Sequence, residues 1–123
     1  MSATPSDKTL DTVIDTLATL DRTKLVAIVR CARVESFAPG TRSERTLHHA
    51  EVLATLNGAP PAPLVLNGAY GKECLMTPGK TYLVIAFELP DWAPERTIET
   101  AIELREGEID AVARRARAKL ASS

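Results

Sequence analysis

Few residues in this chain have the types and spacing to do chemistry, and the first are His48 and His49. Imidazole binds metals and moves protons near neutral pH. A metal site, however, needs three or four converging ligands. On a strand, adjacent side chains point to opposite faces, so this pair cannot clasp one ion. No partner group for acid–base work stands near either ring in the sequence. The expectation is two partly exposed strand histidines with neither a catalytic nor a metal role.

Cys31 and Cys74 are the two cysteines, and they do not form a CxxC pair. Two half-buried thiols is the weightier reading, since reduced cysteine packs as a small hydrophobe. A disulfide between them is the other, and it would matter only in an oxidising compartment. Gly68-Ala69-Tyr70-Gly71-Lys72 has the composition of a phosphate loop. It lacks that motif's spacing and no helix follows it, so it reads as a connecting loop. No cofactor or small-molecule site is legible.

Three aromatic residues, Phe37, Tyr70 and Trp92, fall at loops, whereas Tyr82 and Phe87 fall in an apolar run and read as buried. Trp92 stands between Pro90 and Pro94 and fits either an interface anchor or a plug for the end of a barrel. Arg114, Arg115, Arg117 and Lys119 give a C-terminal helix a basic face. A solvated face is the weightier reading there. A docking surface for an acidic partner or an anionic lipid surface is the alternative.

The elements that would position these residues follow from hydrophobic spacing. The run 80–89 is the longest near-continuous apolar stretch, set off by Thr77-Pro78-Gly79 and closed by Pro90. It reads as a strand buried on both faces. Leu10, Val13, Ile14, Leu17 and Leu20 recur at helical spacing and predict an N-terminal helix from about Asp7, after a disordered stretch 1–6. Strands are predicted over 24–37, 46–56 and 64–66. The second should carry Ala50, Val52, Ala54 and Leu56 on one face.

Residues 98–105 alternate as a strand with one wet face, and a helix reading also fits them. Ile109, Val112, Ala113, Ala116 and Leu120 mark a basic C-terminal helix, 108–121. The order is helix, five strands, helix. The expected fold is therefore mainly β: a five-stranded Greek-key barrel, whose closure removes sheet edges, with one α-helix at each terminus.

The totals fit one domain, 7–123. The chain has 123 residues, 45% hydrophobic and 25% charged, with a formal net charge of -1. A dedicated nucleic-acid binder needs a basic surplus that this chain lacks. No apolar run reaches the length of a membrane-spanning helix. The first residues, Met1-Ser2-Ala3-Thr4-Pro5-Ser6-Asp7, have neither the basic nor the apolar region of a signal peptide. Taken as written they place the chain in the cytoplasm. An exported or periplasmic protein fits if they replaced an export signal.

Residues 26–34, then Glu51-Val52-Leu53-Ala54-Thr55-Leu56-Asn57-Gly58, then the stretch from Cys74 through Pro78-Gly79 to Tyr82-Leu83-Val84, carry a likeness. This succession resembles the netrin-like domain shared with tissue inhibitors of metalloproteinases, over roughly residues 10–106. The resemblance implies an oligonucleotide/oligosaccharide-binding (OB) type barrel with terminal helices against one side. Inhibitors of that family chelate the protease zinc through an N-terminal cysteine, and they carry several disulfides. This chain opens Met1-Ser2-Ala3, so the likeness carries the fold and not the inhibitory site.

The expected function is a non-enzymatic protein-interaction module, as part of a bacterial assembly or as a dimer. Its candidate interface residues are Trp92, Tyr70, Phe37, Arg114, Arg115 and Arg117. A single-stranded nucleic-acid binder is the alternative, and a secreted protease-inhibitor-like protein with an altered N-terminus is the second.

Overall fold

The structure is a computed structural model that describes residues 5–37, 40, 45–68, 76–87 and 96–122, with the backbone alone at 5–9, 37, 45 and 96. Helix α1 spans Pro5–Thr16 and tightens into a 3₁₀ turn at Leu17–Thr19. Strands β1 (Leu25–Phe37), β2 (Arg45–Asn57), β3 (Leu64–Asn67), β4 (Thr81–Ala86) and β5 (Arg96–Leu104) follow. A 3₁₀ turn at Glu106–Glu108 leads into helix α2, Ile109–Ala121. The first helix begins two residues before the predicted Asp7. Proline suits that position, because its fixed φ is helical and its missing N–H is one the first turn leaves unpaired anyway.

The strands close into a barrel in the order β1-β2-β3-β5-β4. All neighbours are antiparallel except β3 and β5, which run parallel. This is an OB-like Greek-key barrel with a helix from each terminus against it. Residues 98–104 are strand, so the helix reading of that stretch falls away.

Two apolar clusters organise the molecule. The barrel interior holds Leu25, Ala27, Val29, Cys31, Leu64, Leu66, Met76, Tyr82, Val84, Ala86 and Ile98. A second layer lies between the barrel's outer wall and the helices. It packs Leu10, Ile14 and Leu17 with Val112, Ala113, Ala116 and Leu120 over Val26, Ile28, Leu83, Ile85 and Leu104. Strand β4 serves both clusters, and all six of its residues are buried. Each large side chain buried there contributes roughly 1.5–3 kcal/mol.

Extra residues in the ladders redirect side chains. Leu53 is unmatched between the pairs Ile28–Ala54 and Val29–Val52. Val52 therefore points inward while Leu53, Ala54 and Leu56 pack on the helix layer. The single face predicted for Ala50, Val52, Ala54 and Leu56 is thus split in two. Glu99 is likewise skipped between Ile85–Thr100 and Ala86–Ile98. Ile98 enters the barrel while Ile102 meets the helices, so β5 has no simple wet face. A bulge inserts one residue and reverses the alternation beyond it.

Within the run 80–89, β4 spans Thr81–Ala86, Phe87 donates its N–H to the Thr97 carbonyl, and Glu88 and Leu89 lie outside the described residues. The Phe87 side chain is 39% exposed at the rim, with Lys24 Nζ 5.1 Å from the ring centroid, and is not buried as its apolar context predicts. Thr77-Pro78-Gly79-Lys80 makes the turn into β4, with Gly79 at φ +87 and Lys80 N–H donating to Thr77 O. Proline followed by a positive-φ glycine is the signature of a type II turn.

Candidate interaction surface

The barrel wall is unevenly covered. Strand β1 is bonded on both sides only as far as Cys31. There Cys31 N–H donates to Lys80 O at 3.0 Å, and Gly79 N–H donates to Cys31 O at 2.8 Å. Beyond that clamp the turn at Gly79 carries the neighbouring chain away. Strand β1 runs on to Phe37 paired with β2 alone: Arg33–His49, Val34–His48, Glu35–Leu47, Ser36–Thr46 and Phe37–Arg45. Among the described residues, nothing pairs with the other edge of 32–37. Residues 32–36 are all exposed, and Val34 is 37% exposed.

Alternation fixes what the outer wall shows. His48, Ala50 and Val52 point inward, so His49, Glu51 and Leu47 point outward, beside Val65 and Asn67 of β3. Ala32 is the unmatched residue between Cys31–Ala50 and Arg33–His49. It brings Arg33 and Glu35 onto the same outer wall as Arg30. Arg33 Nη1 lies 3.7 Å from Glu35 Oε2, and His49 Nε2 donates to Glu35 Oε1. That hydrogen bond, helped by the Arg33 charge, holds the Glu35 carboxyl below its ordinary range. The described part of this wall carries both signs, Arg30 and Arg33 against Glu35 and Glu51. A single-stranded nucleic-acid binder shows a positive groove with stacking aromatics, and this pattern is neither.

The histidines divide as their adjacency requires, but not with the expected exposure. His48 is fully buried. Its Nδ1–H donates to Leu66 O at 3.2 Å, and Met76 N–H donates to Nε2 at 3.1 Å. These partners assign the proton to Nδ1, and burial pushes the ring's pKa down. The ring pins the chain at Met76 to β2 and β3, and both its nitrogens are used. His49 is half-buried on the outer wall. Among the described residues no three His, Cys, Asp or Glu side chains converge as a metal site would need.

Cys31 is a free, buried thiol, and burial raises its pKa. Cys74, Tyr70 and Trp92 lie outside the described residues, and Phe37 is described by its backbone, at the end of β1. The basic face of α2 is partly an inter-helix seam. Arg115 Nη2 meets Asp11 Oδ1 at 2.8 Å and Lys119 Nζ meets Asp15 Oδ1 at 3.3 Å. Arg114 and Arg117 are exposed and ion-pair with no described residue. The acidic partner expected for this face is thus met in part by α1 itself. Asp11 and Asp15 on one helix face were the signal that the basic stripe had a mate within the chain.

A cleft of about 430 Å³ lies between α1 and the β4–β5 wall, lined by residues including Thr12, Thr16, Leu20, Lys24, Ile85 and Glu99. Lys24 Nζ and Glu99 are joined across it at 3.0 Å, and the carboxylate of Asp21, also in the lining, accepts from the Thr23 N–H and hydroxyl. Among the described residues, the β1 edge and the wall beside it are the candidate surface for contact with another molecule. No protein-family model, curated protein or solved structure matches this chain.

Proposed function

We propose that this chain is a non-enzymatic protein-interaction module, with the barrel as scaffold and the β1–β2 ribbon as the docking element. One observation carries the reading: β1 continues past its last contact with β4, and among the described residues nothing pairs with its other edge at 33–37. An unpaired edge presents backbone donors and acceptors in register, and an extended segment of another protein adds to it as a further strand. The described histidines favour this over catalysis, since His48 has both nitrogens bonded and His49 is held by Glu35. No described helix is long and apolar enough to cross a membrane.

The test is site-specific photo-crosslinking. A benzophenone side chain at Val34 is expected to yield protein adducts in the source cell, whereas the same probe at the exposed Asp110 of α2 yields none. Absence of adducts at Val34, together with oligonucleotide binding that falls steeply with salt, would replace this reading with the nucleic-acid one.

A further inference from the structure

The open edge is written in self-complementary charge. Arg33 and Glu35 flank Val34 at equal spacing. Their side chains are 64% and 45% exposed. If a second copy of this edge pairs antiparallel about a two-fold axis through Val34, each residue at 34 + k meets its counterpart at 34 − k. Arg33 then faces Glu35 of the second copy, Glu35 faces its Arg33, and Val34 meets Val34. Both ladder types of an antiparallel sheet admit such an axis. Opposite charges directly across strands stabilise the pairing, and like charges there destabilise it.

Protected edges are usually blunted with charge that turns other strands away, lysine above all. This edge carries one charge of each sign, placed so that a copy of itself is the complementary template. The register is regular across Arg33, Val34 and Glu35, the three residues that the axis sets opposite one another, and it stops at the bulged Ala32, which Ser36 of the second copy would meet. Among the described residues no element covers it.

We infer that the occupant of the β1 edge is a second copy of this chain, joined as a symmetric dimer in which two β1–β2 ribbons form one continuous sheet. Such an interface is isologous, the commonest closed symmetry among homo-oligomers. A strand pairing this short buries little surface, so the dimer is weak and concentration-dependent. The inference rests on the interaction-module reading and names its partner.

Charge reversal tests it in the full-length chain, by analytical ultracentrifugation over a concentration series. Wild type is expected to shift from monomer to dimer. Arg33→Glu puts a negative charge opposite each Glu35, and Glu35→Arg puts a positive charge opposite each Arg33. Each single variant is expected to weaken self-association by about tenfold or more. The double variant R33E/E35R is expected to restore it, and the two single variants mixed are expected to associate with each other. Unchanged thermal midpoints confirm that all of them fold. Singles that dimerise like wild type would overturn this interface and leave the module reading standing. A wild type that stays monomeric while Val34 crosslinks to a different protein would overturn the self-partner alone. A monomer with no crosslinked protein of any kind would remove both.

Discussion

Over the first half of β1, β4 and the end of β5, the outside of the barrel carries Val26, Ile28, Leu83, Ile85, Ile102 and Leu104, with two helices packed against them. Over the second half of β1, the start of β2 and β3, it carries Arg30, Arg33, Glu35, His49 and Glu51. No described element lies over that part. One strand, β1, supplies both regions, and the change falls at Arg30–Cys31, where β4 ends its pairing. The covered wall is a second hydrophobic core and should behave as one. The open wall contributes little apolar burial and is where the proposed partner would be met. Mutations on the two walls should therefore separate stability from association.

The largest effect is expected on the covered wall. Leu83 is fully buried under the helices. Leu83→Ala should cost about 2–5 kcal/mol, read as a lower urea midpoint, because the lost transfer energy and the residual cavity add. A cost comparable to an exposed site would break the distinction between the walls.

His48→Ala should come next, at about 3 kcal/mol. It strands the Leu66 carbonyl and the Met76 N–H, each with a desolvation cost. His48 also sets a pH dependence. Its folded pKa lies below the ordinary 6.5, so the unfolded chain takes up the proton first. Its contribution is complete above 6.5 and declines as pH falls below that value toward the folded pKa. The slope reaches at most about 1.4 kcal/mol per pH unit. Urea titrations from pH 7 downward should show that loss in wild type, and His48→Ala should lack this part of it.

Asn57→Ala should cost about 1–2 kcal/mol in thermal melts. Its Nδ2 donates to the Arg22 and Lys24 carbonyls, holding the turn before β1 against the end of β2. Smallest of all is Glu51→Ala on the open wall, within about 0.5 kcal/mol of wild type in the same melts. A large loss there would show that wall to be structural and not a meeting surface.

Much of the fold was legible, for a physical reason. Where both faces of a strand are buried, as in β4, the sequence is continuously apolar, and the run from Thr81 to Ala86 could be read as a central strand. The helices showed their buried stripes at helical spacing because only one side of each meets the barrel. The bulges at Ala32, Leu53 and Glu99 left no mark. One extra residue changes no composition, yet it moves every later side chain to the other wall. The burial of His48 was also hidden, since its partners are backbone groups 18 and 28 residues away. Backbone groups carry no sequence signature. Phe87 was misread because an apolar run does not say where its strand stops.

The open wall was visible only as polar alternation in the second half of β1. That no described residue pairs with its edge depends on where β4 begins, which a turn 46 positions after Arg33 decides, at Gly79.

Among the described residues β3 and β5 are joined by two parallel residue pairs, Leu66–Arg96 and Asn67–Thr97, whereas β1 and β2 share a ladder that runs from Val26 to Phe37. A cylinder stitched so thinly on one side has an obvious place to unzip. Deuterium should enter the amides along that seam well before those of β4, and gentle heating should turn the tube into a curled ribbon still hinged on β1.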